Sequence, residues 1–324
     1  MKRAGKIASI ICLLLAALYG GFRLYLAYWK ASQRAQIQAS DFIQLPKGPL
    51  HYRASGSGSP VLYLHGGGGG HDERLPLSNC QLIVPSRPGY LQSEPRLGES
   101  YRASSQTYLQ LLDSLALSQV AVVAFSAGGP PALAFARTYP SRVSCLVLIA
   151  AVSNGTKALV PQQGKTRRWT DRWLGEDFLD WYYSQALAFA PEKMILEGPE
   201  ALLSPSDQAY LAERPDILQA MVSDYQRRAG ASSLRWPGFV QDRQRYPSLS
   251  LDSALFPFPT LIVHGDSDRS VKVEQAQDLA KRISPARLLI IPGGGHMSIL
   301  ARQDSLMPIV SDFIHEHQPQ LKRQ

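Results

Sequence analysis

At 324 residues the chain is long enough for one α/β domain of roughly 250 residues plus an insertion. Its formal net charge of +8 would suit a phosphate-binding surface, yet residues 1–40 hold six Lys or Arg and no Asp or Glu, and the remainder is nearly balanced. The excess belongs to the N-terminal segment, so a nucleic-acid partner is excluded. Cys12, Cys80 and Cys145 show no C-x-x-C spacing, which argues against a disulfide framework or a zinc site.

Lys2, Arg3 and Lys6 precede sixteen uncharged residues, Ile7 to Phe22, and Arg23 with the aromatic stretch LYLAYW follows. Residues 1–30 therefore read as a membrane anchor or signal segment: Arg23 can snorkel, and Tyr25, Tyr28 and Trp29 suit an interfacial belt. Leu18 or Tyr19 stands where a cleavage site needs a small residue, which favours an uncleaved transmembrane helix over a secreted, cleaved form. Basic residues flank both ends of the run, so charge gives only a slight preference for an N-terminus inside, with the remaining domain extracytoplasmic. Residues 31–41 (ASQRAQIQASD) read as a linker or as the end of the anchor helix emerging into water.

Beyond residue 42 come short apolar runs: VLYL (61–64), QLIV (81–84), VAVVAF (120–125), CLVLIA (145–150), TLIVHG (260–265) and RLLIIP (287–292). Hydrophobicity without alternation means strands covered on both faces, the mark of a mostly parallel central sheet flanked by helices. Helical patterns at 104–117 and 273–282 fit crossover connections, so the class is α/β. Residues 42–152 and 258–318 form the core on this reading. Residues 153–257 offer no strand candidate and many aromatics, among them Trp169, Trp173, Phe178, Trp181, Tyr182, Tyr183 and Phe189, and read as a helical cap.

Four segments carry chemistry. In VAVVAFSAGG a buried strand ends at Ser126 and small residues open a helix, as a nucleophile elbow requires: the residues two before and two after the serine, Ala124 and Gly128, must let two backbones approach. Ala124 replaces the commoner glycine, and Pro130 and Pro131 are tolerated in a first helical turn. The glycine run of LHGGGGG follows the strand VLYL and can turn an N–H inward. Gly67 and Ala127 are the expected oxyanion donors. No Gly-Lys-Ser/Thr follows, so a phosphate loop is excluded.

In PTLIVHGDSDRSV two carboxylates follow a strand, with Asp268 the expected acid and Asp266 its rival. In IIPGGGHM a glycine loop after the last strand carries His296, the expected base. His264 reads as structural, and His51, His65 and His71 have no evident partner. Ser126, Asp268 and His296, each after a strand, occur in the chain order of one hydrolase fold.

These segments resemble the α/β-hydrolase superfamily across roughly 42–317, and Arg87, Pro88, Gly89 and Tyr90 look similar to a loop of that family that pins the site's surroundings. The resemblance implies an acyl-enzyme mechanism with Ser126 as nucleophile, no metal and no cofactor. It implies a small-molecule ester or related acyl substrate, with prolyl-aminopeptidase-like or carbon–carbon bond hydrolysis as alternatives; cap acids Glu176 or Asp177 would bind an amine in the former. A non-catalytic ligand receptor that keeps the fold is the reading from another class.

Overall fold

A computed structural model describes residues 2–37, 39–155, 177–197, 202–229, 231–249 and 256–318. Eight strands form one sheet in the order β1-β2-β4-β3-β5-β6-β7-β8: β1 (Asp41–Leu45), β2 (Gly48–Ser55), β3 (Ser59–Leu64), β4 (Cys80–Pro85), β5 (Val120–Phe125), β6 (Val143–Ile149), β7 (Thr260–Gly265) and β8 (Ala286–Ile291). β1 and β2 are antiparallel to their neighbours; all other pairings are parallel. These two N-terminal strands escape the apolar-run criterion because they lie at the sheet's margin, where DFIQL and GPLHYRAS keep polar residues half-wet.

Ahead of the sheet stands α1 (Lys2–Gln36). Within the domain come α2 (Tyr101–Ser114), α3 (Gly129–Thr138), and then the helices inserted between β6 and β7. Those are α4 (Asp177–Phe189), α5 (Pro191–Glu197), α6 (Pro205–Ala212), α7 (Pro215–Ala229) and α8 (Trp236–Arg245). α9 (Glu274–Arg282), the one-turn α10 (Ser298–Ala301) and α11 (Gln303–Glu316) complete the chain. Trp169, Trp173 and Glu176 of the expected cap lie outside the described residues.

Strand alternation sorts the core into two layers. Leu62, Leu64, Val122, Ala124, Leu146 and Leu148 pack with Tyr108, Leu111 and Leu112 of α2, Leu133 and Phe135 of α3 and Leu279 of α9. Val61, Tyr63, Ala121, Val123, Cys145 and Val147 face Met307, Val310, Phe313 and Ile314 of α11. Every residue of β6 and β7 is buried, which explains their unbroken hydrophobic sequences. Cys80 and Cys145 are buried free thiols, and Cys12 is exposed on α1.

α1 runs on past the expected boundary at residue 30, because ASQRAQ contains good helix formers and no Gly or Pro. Its segment Ser9–Ser32 has a mean hydropathy of 1.9 over its most apolar stretch and is only 6% buried there, long and apolar enough to cross a membrane.

The register brings the carboxyl ends of β3, β5, β7 and β8 to one edge. At the end of β5 the close approach anticipated at Gly128 is tight: a Cβ there would stand 2.0 Å from the Leu64 carbonyl oxygen. Ala124, fully buried, already carries a methyl group. Gly128→Ala should therefore push α3 off β3, costing about 1–3 kcal/mol as overpacked positions do, whereas Ala124→Gly should leave the fold intact. Chemical denaturation of the two variants checks this; equal stability for both would contradict it.

Candidate functional site

Ser126 has φ = 50°, a left-handed conformation costing a non-glycine residue about 1–3 kcal/mol. Its carbonyl accepts the Val152 and Gly129 N–H groups, which fixes the turn. The strain has a geometric result: the hydroxyl projects from the sheet edge and is partly exposed while Ala127 behind it is buried.

Ser126 Oγ lies 2.9 Å from His296 Nε2, and His296 Nδ1 lies 2.7 Å from Asp268 Oδ2. The loops after β5, β7 and β8 thus bring the three expected residues into one hydrogen-bonded chain. Asp266 stays outside it: exposed, its Oδ1 accepts from Gly293 N at 2.8 Å and from Ser267 Oγ. The acid and histidine loops are stitched together. Ser267 N donates to Gly294 O at 2.9 Å, and a Cβ at Gly265 would stand 2.2 Å from that same oxygen.

Asp268 is held from several sides. Its Oδ1 accepts the N–H groups of Ser270 and Val271 at 2.8 and 2.9 Å. Fully buried His264 places Nε2 at 2.8 Å from the Val271 carbonyl and 3.3 Å from Asp268 Oδ2. Burial works to raise the Asp268 carboxyl, but hydrogen bonding from His264 and His296 outweighs it and holds the group well below the usual carboxylate range. His264, read from the sequence as structural, is buried against the acid four residues on.

The glycine loop expected to supply an oxyanion donor follows β3. Gly67 is exposed, and a Cβ on it would stand 3.9 Å from the Ala127 Cβ, so the two expected donors are neighbours. Phe239 of α8 stands beside Gly67, and the Phe125 ring lies 5.2 Å from that of His296.

The loop is held by Arg87, which is 1% exposed. Its Nε donates to His65 O at 2.8 Å, Nη2 to Gly66 O at 3.1 Å, and Nη1 to Asp242 Oδ1 of α8 at 2.8 Å. Tyr90 donates to the other Asp242 oxygen at 2.6 Å. His65 has partners after all: Nε2 accepts the Arg87 N–H at 3.0 Å, which leaves Nδ1 to donate to Gly66 O. His71 Nδ1 meets Ser86 Oγ, and His51 Nδ1 meets Ser40 Oγ. Asp72 binds Arg235 through two contacts of 2.9 and 2.5 Å, and Glu73 binds Arg228 of α7.

A second inserted carboxylate holds the histidine loop. Asp207 of α6, fully buried, accepts from Gly295 N at 2.8 Å, from Ser298 Oγ and from Arg302 Nε. Leu202 O also accepts the Met297 N–H at 2.9 Å. The inserted helices therefore grip the backbone on both sides of His296.

Breaking one partner of a buried ion pair typically costs about 3–5 kcal/mol. Asp242→Ala should lose stability on that scale by stranding Arg87, measured by urea denaturation; a loss under about 1 kcal/mol would show that the clamp does not matter. His65 is fully buried, and desolvation, then Arg87, press its pKa well below 6.5. The unfolded chain thus takes up a proton near pH 6.5 that the folded chain refuses, so stability falls as pH drops below 6.5. The slope is at most about 1.4 kcal/mol per pH unit for one proton. Denaturation at pH 7.5 and pH 5.5 should show a shallower fall for His65→Gln than for the wild type.

Residues 59–303 match the family model for the alpha/beta hydrolase fold. A Bacillus subtilis protein, the uncharacterized hydrolase YcgS, is 28% identical over 79% of this chain and 91% of its own length. A 2-hydroxy-6-oxononadienedioate/2-hydroxy-6-oxononatrienedioate hydrolase of Dechloromonas aromatica is 24% identical over 86% of this chain and 96% of its own. Among solved structures, an alpha/beta hydrolase fold protein from Nakamurella multipartita superimposes with a TM-score of 0.72 at 26% identity, over 85% of this chain and 99% of that one. With the family model spanning most of the chain and the sheet order and loop positions in agreement, this protein belongs to the α/β-hydrolase fold family.

Proposed function

We propose that the protein is a serine hydrolase acting on a carboxylic ester or related acyl bond, with Ser126 as nucleophile, His296 as base and Asp268 as the orienting acid. The observation that carries this reading is the continuous path from Ser126 Oγ through both His296 nitrogens to Asp268 Oδ2. Asp268 keeps the proton on Nδ1, so Nε2 is free to take the serine proton as Oγ attacks the carbonyl carbon. The N–H groups of Gly67 and Ala127 stabilise the oxyanion. The imidazolium then protonates the leaving alcohol, and a water activated by His296 releases the acid from the acyl-enzyme.

The buried guanidiniums beside the loop, Arg87 and Arg235, are paired with Asp242 and Asp72, and Phe125 and Phe239 supply apolar surface. This favours a neutral, apolar acyl group. A second reading, carbon–carbon bond hydrolysis of an anionic keto acid, draws on the name of the Dechloromonas relative and on Arg243, whose guanidinium lies 4.4 Å over the Phe239 ring. We place α1 as an uncleaved membrane anchor, with the catalytic domain on the extracytoplasmic side.

A fluorophosphonate probe should label wild-type protein and leave folded Ser126→Ala unlabelled; absence of serine-dependent labelling of folded protein overturns the proposal. A panel of p-nitrophenyl esters of increasing chain length beside a keto-dienoate separates the two substrate classes. If the keto acid is the substrate, Arg243→Gln should lower its kcat/KM by roughly tenfold or more, the worth of a hydrogen bond to a charged group, and spare the esters.

A further inference from the structure

Helix α4 packs directly on α1. The Phe22 ring centroid lies 6.0 Å from that of Phe178 and 5.7 Å from that of Trp181, and Trp181 Nε1 donates to Tyr25 OH at 3.4 Å. The contact is a ladder of edge-on aromatic rings at one height along α1. That height is marked by charge: Arg23, the first basic residue after the apolar run, stands between Phe22 and Tyr25 and donates back to Tyr19 OH at 3.1 Å. A guanidinium turned toward a tyrosine hydroxyl at the end of an apolar helix is the arrangement of a bilayer interface.

The face of α4 that meets α1 does not end with that contact. Residues 178, 182, 186 and 189 recur at helical spacing, so Phe178, Tyr182, Ala186 and Phe189 share a stripe. Tyr182 stacks on Phe178, yet it is 53% exposed, and Phe189 is 86% exposed. Among the described residues, most other exposed large apolar side chains stand on α1, such as Leu13, Leu18 and Leu24, with Phe42 on β1 and Tyr183 on α4 outside it. Apolar surface therefore continues from α1 onto α4 of the insertion. Of the basic residues in the first forty, Arg23, Lys30 and Arg34 lie on this side of the apolar run, where charges suit headgroup depth.

We propose that the Phe178–Phe189 face of α4 lies in the interfacial layer of a lipid bilayer, so that the inserted helices, and not the opposite side of the sheet, form the membrane-facing side of the protein. This inference rests on the reading of α1 as a membrane span. It makes α4 a second, surface-lying contact of the kind amphipathic helices make, with aromatic rings at headgroup depth.

The test uses the full chain with Cys12→Ser in vesicles of mixed zwitterionic and anionic phospholipid; Cys80 and Cys145 are buried and do not compete for label. Single nitroxides are attached after Leu14→Cys, Tyr182→Cys, Phe189→Cys and, as a control on exposed α2 surface, Gln106→Cys. Their accessibilities to oxygen, which concentrates in lipid, and to a water-soluble nickel chelate are compared. The expected oxygen-to-nickel ratio is highest at position 14 and several-fold above position 106 at positions 182 and 189. A water-like ratio at 182 and 189 with position 14 in lipid overturns the docking face and leaves the span intact. A water-like ratio at position 14 overturns both. Shielding of 182 and 189 from both reagents identifies a protein contact and also overturns the proposal.

Discussion

The Arg87 guanidinium stands at the junction of everything the site requires. It is buried, so it must be neutralised, and Asp242, supplied by a helix inserted far along the sequence, does this. Two further donors go to the carbonyls of His65 and Gly66, which pins the chain immediately before Gly67. A run of five glycines would otherwise be the least ordered backbone in the molecule. The loop's freedom to turn its N–H groups inward is usable only because its carbonyls are tied from outside.

The same logic recurs on the other side of the serine, where Asp207 collects the Gly295 N–H and the Ser298 hydroxyl around His296. Among the described residues, four buried or half-buried ion pairs cross the seam between core and insertion: Asp72–Arg235, Glu73–Arg228, Arg87–Asp242 and Arg302–Asp207. Each side contributes two acids and two bases. Such pairs add little net stability over apolar packing but penalise any misplacement heavily, so they set where the inserted helices sit. The insertion thus holds the loops around Ser126 and His296 in place.

Much of this was legible in the amino-acid sequence. The two-sided burial of β5, β6 and β7 wrote itself as unbroken apolar runs, and the strand-end positions of Ser126, Asp268 and His296 followed from them. The choice of Asp268 over Asp266 needed only the turn geometry that sends one carboxylate inward and the other to Gly293. The partners of Arg87, Asp207 and His65 were not legible, because each is tied to residues far away in the chain or to backbone atoms that no side-chain pattern announces. The structural role of His264 was legible but its contact with Asp268 was not: an imidazole at a buried strand end looks like packing until the carboxylate four residues on is seen to turn back to it. The edge strand β1 and its neighbour β2 were missed because half-wetted strands lack the hydrophobic signature used to find the others.

Helix α1 continues unbroken to Gln36, and β1 begins at Asp41. That short connection can span at most about 18 Å, and Leu26 and Trp29 of the helix are buried besides. The protein is therefore not a catalytic head on a leash. If α1 is held in a plane, Ser126 keeps one height and one heading relative to it, and the enzyme cannot swing out to sample the surrounding water. Lateral arrival of substrate, not the reach of the enzyme, would then set the encounter rate.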